Sequence, residues 1–421
     1  METDSFINNK LGNICHIIMG QSPKGDTYND SGVGLPLLNG PTEFGPTFPL
    51  PKIWTESPTK TCKPGDLLFC VRGSTTGKMN WADQEYCLGR GVAAFRSKLQ
   101  TRDTRFIYYA LVATLDRLLS LSTGSVFPNL SRDDFLNFEI PWPDDKERIA
   151  IAAVLGALDD KIELNRQMNQ TLEAIAQAIF KSWFVDFDPV KAKAEAREPA
   201  GLAPEVAALF PDSFADSELG EIPEMWRIEP LDEVADYLNG LALQKYPPSG
   251  HESLPVIKIA ELRKGNTDGA DRASAALDPK YVVADGDVLF SWSGSLEVCI
   301  WCGGRGALNQ HLFKVTSQCY PKWFYYLWTR TYLPEFQKIA SDKATTMGHI
   351  QRHHLSESLT LIPSNELLVE MNNVIDPIFG LIINNRLESR TLAEIRDVLL
   401  PKLLSGEVRI KDAEKFVEAH L

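Results

Sequence analysis

The sequence predicts an α+β chain built as a pseudo-twofold internal repeat: two similar mixed modules, separated by two long helices that pair as an antiparallel coiled coil. Three observations carry this. Segments of the first half recur in the same order in the second half, at an offset of about 220 residues. Each half holds short apolar runs bounded by Pro, Gly and Asp, the pattern of strands. After each half the apolar spacing changes to alternating steps of four and three, the pattern of a helix seam.

The repeat is read from a series of anchors. LGNICHIIMG (11–20) aligns with LDEVADYLNG (231–240), and LPLLNG (35–40) with LPVIKI (254–259). PGDLLFCVRGS (64–74) aligns with DGDVLFSWSGS (285–295), FIYYAL (106–111) with WFYYLW (323–328), and EIP (139–141) with LIP (361–363). Chance similarity would not hold its order and spacing across so many segments, so a whole module is duplicated. DLLFCV and DVLFSW read as strands, 103–121 and 321–340 as helices. Gly-, Ser- and Thr-rich loops lie between them, among them RGSTTGK (72–78), STGSVFPNLSR (122–132) and KATTMGHIQR (343–352). The aromatic FIYYAL and WFYYLW segments occupy equivalent helical positions, which favours core packing over base stacking.

In the first helix the seam runs through Ile151, Leu155, Leu158, Ile162, Asn165, Asn169, Leu172, Ala176, Ile179 and Trp183. Adding 220 gives Met371, Ile375, Ile378, Ile382, Asn385, Ser389, Leu392, Arg396, Leu399 and Leu403. Polar positions inside an apolar seam fix register, so Asn165 and Asn385 are expected to be pins. A helix from 146 to 185 would extend roughly 60 Å at 1.5 Å per residue, too long to be buried by one small module. Asp144 with Glu147 predicts a capped start, and Asp188-Pro189 a stop. Pro377 predicts a kink or a shorter first turn in the second helix. The expected divisions are a first module at 1–145, a helix at 146–187, an acidic linker of low rigidity at 188–222, a second module at 223–365, and a helix with its tail at 366–421. FPDSF in the linker could pin it to a neighbouring surface.

Composition bounds the function. The 421 residues carry a net charge of −13, which argues against phosphate binding until its distribution is read. Residues 1–145 carry 14 basic and 16 acidic side chains, as do residues 223–365, so the acidic excess belongs to the segments between and after them. Near-neutral modules can still expose local basic faces, while the acidic segments are suited to protein contact. No apolar run approaches the roughly 18 to 20 residues of a membrane span. METDSFINNK does not resemble a secretory signal, and the seven cysteines fit a reducing compartment, so a cytoplasmic location is expected.

The chain resembles the specificity subunit of Type I restriction-modification enzymes. The likeness rests on MGQSPKGDTYND, GVGLPLLNGPTEFG, PGDLLFCVRGSTTGKMN and LGRGVAAFR in the first module, and on LDDKIELNRQMNQTLEAIAQAIFKSWFVDFDPVKAKAEA after it. It continues through LGEIPEMWRIEPLDEVADYLNG to LLPKLLSGEVRI, covering essentially the whole length, with Met225 where the IPEGW-type junction has Gly. The resemblance implies two target-recognition domains, each reading one half of a split double-stranded DNA target, and two antiparallel conserved helices that set the unread gap. It implies two methylation subunits docked on the helices and restriction and motor subunits beyond them. The chain itself is then a non-catalytic adaptor that binds no cofactor; S-adenosylmethionine, ATP and Mg are expected on the partner subunits.

The residues agree with that division of labour. There is no GxxxxGK[ST] loop, dinucleotide-type Gly-rich turn or NPPY-type motif. Pro143-Asp144 with Asp159-Asp160-Lys161 can be forced onto a PD…DxK nuclease template, but the stretch lies on the heptad helix rather than a strand. Cys299 and Cys302 form one CxxC with no second pair, and they sit in a strand-like segment, so no metal is expected there. His349, His353 and His354 lack paired carboxylates or cysteines and read as solvated loop residues, with DNA contact the next reading. Base and phosphate contacts need Arg, Lys, Asn, Gln and small hydroxyls. The loops supply Lys24, Arg72, Ser74, Thr75, Lys78, Arg90, Asn129 and Arg132 in the first module. In the second they supply Ser293, Ser295, Arg305, Lys343, Thr345, Thr346, Gln351 and Arg352.

Overall fold

The computed structural model describes residues 7–100, 102–122, 128–248, 252–342 and 348–420. It forms two compact units, residues 1–164 with 391–421 and residues 165–390, so each unit holds one module and half of each long helix. No helix among the described residues is long and apolar enough to cross a membrane.

In the first unit an antiparallel sheet runs in the order Cys15–Met19, Val92–Ser97, Leu67–Cys70, Met79–Trp81. Leu67–Cys70 is apolar at every position and buried throughout, as a strand covered on both faces must be. The turn before it is closed by Gly65 at φ 84°, while buried Asp66 accepts from the Lys63 backbone N–H at 2.8 Å. Arg96, on the neighbouring strand, grips the same carboxylate through two 2.6 Å hydrogen bonds. A smaller sheet holds a parallel pair, Leu35–Leu38 with Cys87–Leu88. Asn8–Lys10 pairs with Glu139–Pro141, which closes the module just before the first long helix begins. Helix Asp103–Ala113 lays Phe106, Ile107, Ala110 and Leu111 on the main sheet, where Phe69, Phe95 and Phe135 pack edge to face.

The second unit repeats this plan. Its main sheet runs in the order Asp236–Asn239, Leu312–Thr316, Val288–Ser291, Glu297–Ile300. Ser253–Ile257 pairs in parallel with Gly306–Leu308, and Arg227–Pro230 closes against Leu359–Ile362. Helix Lys322–Asp342 buries Trp323, Phe324, Tyr326 and Leu327. The FIYYAL and WFYYLW aromatics are therefore core residues, as their helical placement predicted. The linker expected to have low rigidity forms helices Asp188–Ala194 and Pro204–Leu209, and the FPDSF segment is anchored through Phe210, which is 1% exposed.

The long helices are Asp145–Phe184 and Asn365–Leu404, of 40 residues each. Asp144 accepts from the Glu147 N–H at 3.0 Å, the capped start that the sequence indicated. Within the first unit Ile151, Leu155 and Leu158 share a core with Leu392, Ile395, Leu399 and Leu403. Burying each such side chain contributes about 1.5–3 kcal/mol. Arg396 meets Asp159 at 2.7 Å there, and the Tyr109 hydroxyl donates to the other Asp159 oxygen at 2.6 Å. Within the second unit the seam turns polar: Asn385 donates to the Asn169 carbonyl oxygen at 2.9 Å, and Asn169 donates to the Ile382 backbone at 3.2 Å. Asn165, fully buried, donates to Glu388 at 2.7 Å. Residue numbers rise on one helix as they fall on the other, so the pair is antiparallel.

Of the two outcomes expected at Pro377, a kink or a shorter first turn, the second does not occur: the helix begins at Asn365 and runs through Pro377. Pro377 and Asn373, whose carbonyl loses its N–H partner, are both exposed, while buried Ile375 and Phe379 hold the turn.

Candidate nucleic-acid interface

In the first module the loops after Leu35–Leu38 and Leu67–Cys70 meet the turn that precedes Val92–Ser97. They enclose a pocket of about 430 Å³ walled by Ser22, the 39–42 segment, Arg72, Arg90 and Gly91. Backbone hydrogen bonds build it: Val71 N–H to Gly91 at 2.9 Å, Gly89 N–H to Leu38 at 2.8 Å, and Leu130 N–H to Val71 at 3.0 Å. Gly91 is required, because a Cβ there would lie 2.4 Å from the Asn39 carbonyl oxygen. Arg72 and Asn129 face each other in an isolated antiparallel bridge, and the Arg72 Nε–H donates to Asn129 Oδ1 at 3.3 Å. Two guanidinium groups thus line a pocket whose neighbouring carboxylate, Glu43, is held by the Gly40 N–H at 3.0 Å and the Thr42 hydroxyl at 2.9 Å, a setting suited to the acceptor edge of a base.

The second module builds the same frame. Trp292 N–H bonds His311, Asn309 N–H bonds Ile257, Ile350 N–H bonds Trp292, and Ser293 bridges His349. Matching these bonds one to one equates Arg72 with Ser293, Asn129 with His349, Arg90 with Gln310 and Gly91 with His311. The chemistry differs at these four positions, while the frame itself keeps like residues, Leu38 with Ile257 and Leu130 with Ile350. Ser293 Oγ lies 3.0 Å from His311 Nδ1, and the Trp292 ring stands 5.9 Å from His311 and 6.2 Å from His349.

The remaining sequence candidates are scattered around these frames. Lys24, Ser74, Lys78, Arg132, Ser295, Arg305 and Gln351 are exposed, and Thr75 is half-buried. Ser293 is 3% exposed and committed to His311, while Arg352 stays exposed, its guanidinium donating to the Tyr237 carbonyl at 3.1 Å and lying over the Phe313 ring. Lys343, Thr345 and Thr346 lie outside the described residues. Sequence reasoning missed Asn39, Gln310 and His311. The offset of 220 from Arg90 to Gln310, and from Asn129 to His349, was the signal available.

The decoys resolve into structural roles. Asp159 and Asp160 lie on the first long helix, held by Arg396 and Arg105 respectively. Burial pushes the Cys299 thiol up to about 12 and raises that of Cys302, which withholds the thiolate a metal would need. Glu357 supplies the carboxylate that the sequence reading found lacking beside His353 and His354, the three ligand atoms lying within 4.8 Å. His354 Nδ1, however, accepts the Gln351 N–H at 2.9 Å, so in the neutral ring its other nitrogen bears the proton.

The model of the Type I restriction modification DNA specificity domain matches residues 6–174. The HindI specificity subunit of Haemophilus influenzae is 25% identical, over 83% of this chain and 88% of that one. The MjaIX specificity subunit of Methanocaldococcus jannaschii is 28% identical, over 73% and 70%. The chain is thus similar to Type I restriction enzyme specificity subunits over most of its length. The crystal structure of a Type I restriction-modification S subunit from M. genitalium shares the fold, with a TM-score of 0.56, 15% identity, and coverage of 96% of this chain and 97% of that one. The family match takes in the first pocket and reaches along the first long helix through the Asn165 and Asn169 positions.

Proposed function

We propose that this chain directs a Type I restriction-modification complex to a bipartite double-stranded DNA target, each module reading one half while the paired helices set the unread gap. The observation that carries this reading is one backbone frame built twice, with Arg72, Asn129, Arg90 and Gly91 of the first replaced by Ser293, His349, Gln310 and His311 in the second. Two readers of shared geometry and unlike chemistry are what a split, asymmetric target requires.

The chain acts as a non-catalytic adaptor in the cytoplasm and binds no cofactor of its own. Two methylation subunits carrying S-adenosylmethionine dock on the helices, and motor and nuclease subunits use ATP and Mg. The docking reading is supported by exposed apolar residues seven positions apart: Met168 and Ile175 on the first helix, Val374 and Leu381 on the second. In reconstitution, the complex with methylation subunits should shift a target duplex with an affinity that falls as salt rises, while the lone chain turns over neither DNA nor S-adenosylmethionine. Methylation or cleavage by the purified chain alone would defeat the adaptor reading.

A further inference from the structure

Resting on that reading, the structure assigns Arg72 as a guanine-reading side chain of the first module, with Asn129 as its positioning residue. Asn129 Oδ1 accepts the Nε–H of Arg72, at 3.3 Å, a contact that uses neither terminal nitrogen of the guanidinium. The two residues are fixed to each other by a backbone bridge, and the Gly73 N–H to Pro128 carbonyl bond at 3.1 Å locks the same two segments. Such a restrained fork matches the paired O6 and N7 acceptors of guanine in the major groove. Arg90, exposed on the same pocket wall, adds a second cation, while the nearby Glu43 carboxylate is taken up by the Gly40 N–H at 3.0 Å and the Thr42 hydroxyl at 2.9 Å.

The second module tests the assignment internally. There the bridge joins Ser293 to His349, and Ser293 is buried against His311. The side chains at the matched places are His349 and Gln310, the latter 3.3 Å from His311, and their chemistry does not reproduce an arginine fork. The two half-sites therefore differ in the base met at this position.

The experiment maps methylated motifs left in a host genome by the complete complex carrying each variant. Arg72→Lys keeps the charge and removes the fork. It should lower discrimination roughly 5- to 150-fold for guanine at one position of one half-site, with the other half-site unchanged. Asn129→Ala should relax that same position and Asn129→Asp should restore it, whereas His349→Ala should alter only the opposite half-site. An unchanged motif in Arg72→Lys overturns the assignment, as does a uniform loss of methylation at all sites, which would mark a phosphate contact. A wild-type complex that leaves no two-part motif overturns the reading on which the assignment rests, and so is distinguishable from either.

Discussion

Met225 holds a left-handed backbone, φ 69°, with its side chain 87% exposed. A side chain there costs about 1–2 kcal/mol in backbone strain, and nothing in its exposure repays it. Met225→Gly should therefore raise stability by about 0.5–1 kcal/mol after the greater chain entropy of Gly is subtracted, seen as a higher Tm in a thermal melt. The resemblance flagged this position as an expected glycine, and the backbone supplies the reason. Cysteines make a second residue-scale prediction. Burial pushes the thiols of Cys15, Cys62 and Cys299 up to about 12, while Cys319 is exposed, so alkylation of the native protein at neutral pH should mark Cys319 first. Rapid modification of Cys299 in the folded chain would contradict the burial argument. Side-chain direction was the part hidden from sequence. Arg352 and Ser293 qualify as DNA contacts by type, yet one is tied to the Tyr237 carbonyl and the other spent on His311.

At the scale of elements, the buried asparagines test the helix pair. Asn169→Leu removes the acceptor of Asn385 and strands a buried amide, which should cost about 1–3 kcal/mol in a denaturant titration. Adding Asn385→Leu should recover most of that loss while weakening the preference for one register. A double variant as unstable as the single would mean that the pair does not act as a unit. The second helix is also tied to its module by a fork from Arg390 to Asp285, at 2.9 and 3.0 Å. Burial works to raise the Asp285 carboxyl, but the Arg390 bonds and the Gly304 N–H hold it below its ordinary value. A depressed carboxyl stabilises the fold above the usual carboxylate range, and that contribution is lost as pH falls through the lowered value. Asp285→Asn should therefore flatten the acid limb of a stability profile. Periodicity made the helices and their polar pins legible. At Pro377 it left a kink or a shorter first turn open, and the helix continues through the proline, which is exposed together with Asn373.

For the whole molecule, duplication is the organising fact, and it was the most legible one. Anchors such as PGDLLFCVRGS and DGDVLFSWSGS fall on the same central strand of matching sheets, because strand burial constrains them alike. The reading surfaces were less legible, since they are assembled from loops distant in sequence, as when Arg72 meets Asn129 across 57 residues. Independent readers on one frame remain the central claim. The measurement that meets it most directly is the methylated motif of a complex in which residues 1–145 are replaced by the first module of another specificity subunit. The account predicts that one half of the motif changes while the other half and the gap stay as they were; a motif altered in both halves would contradict it.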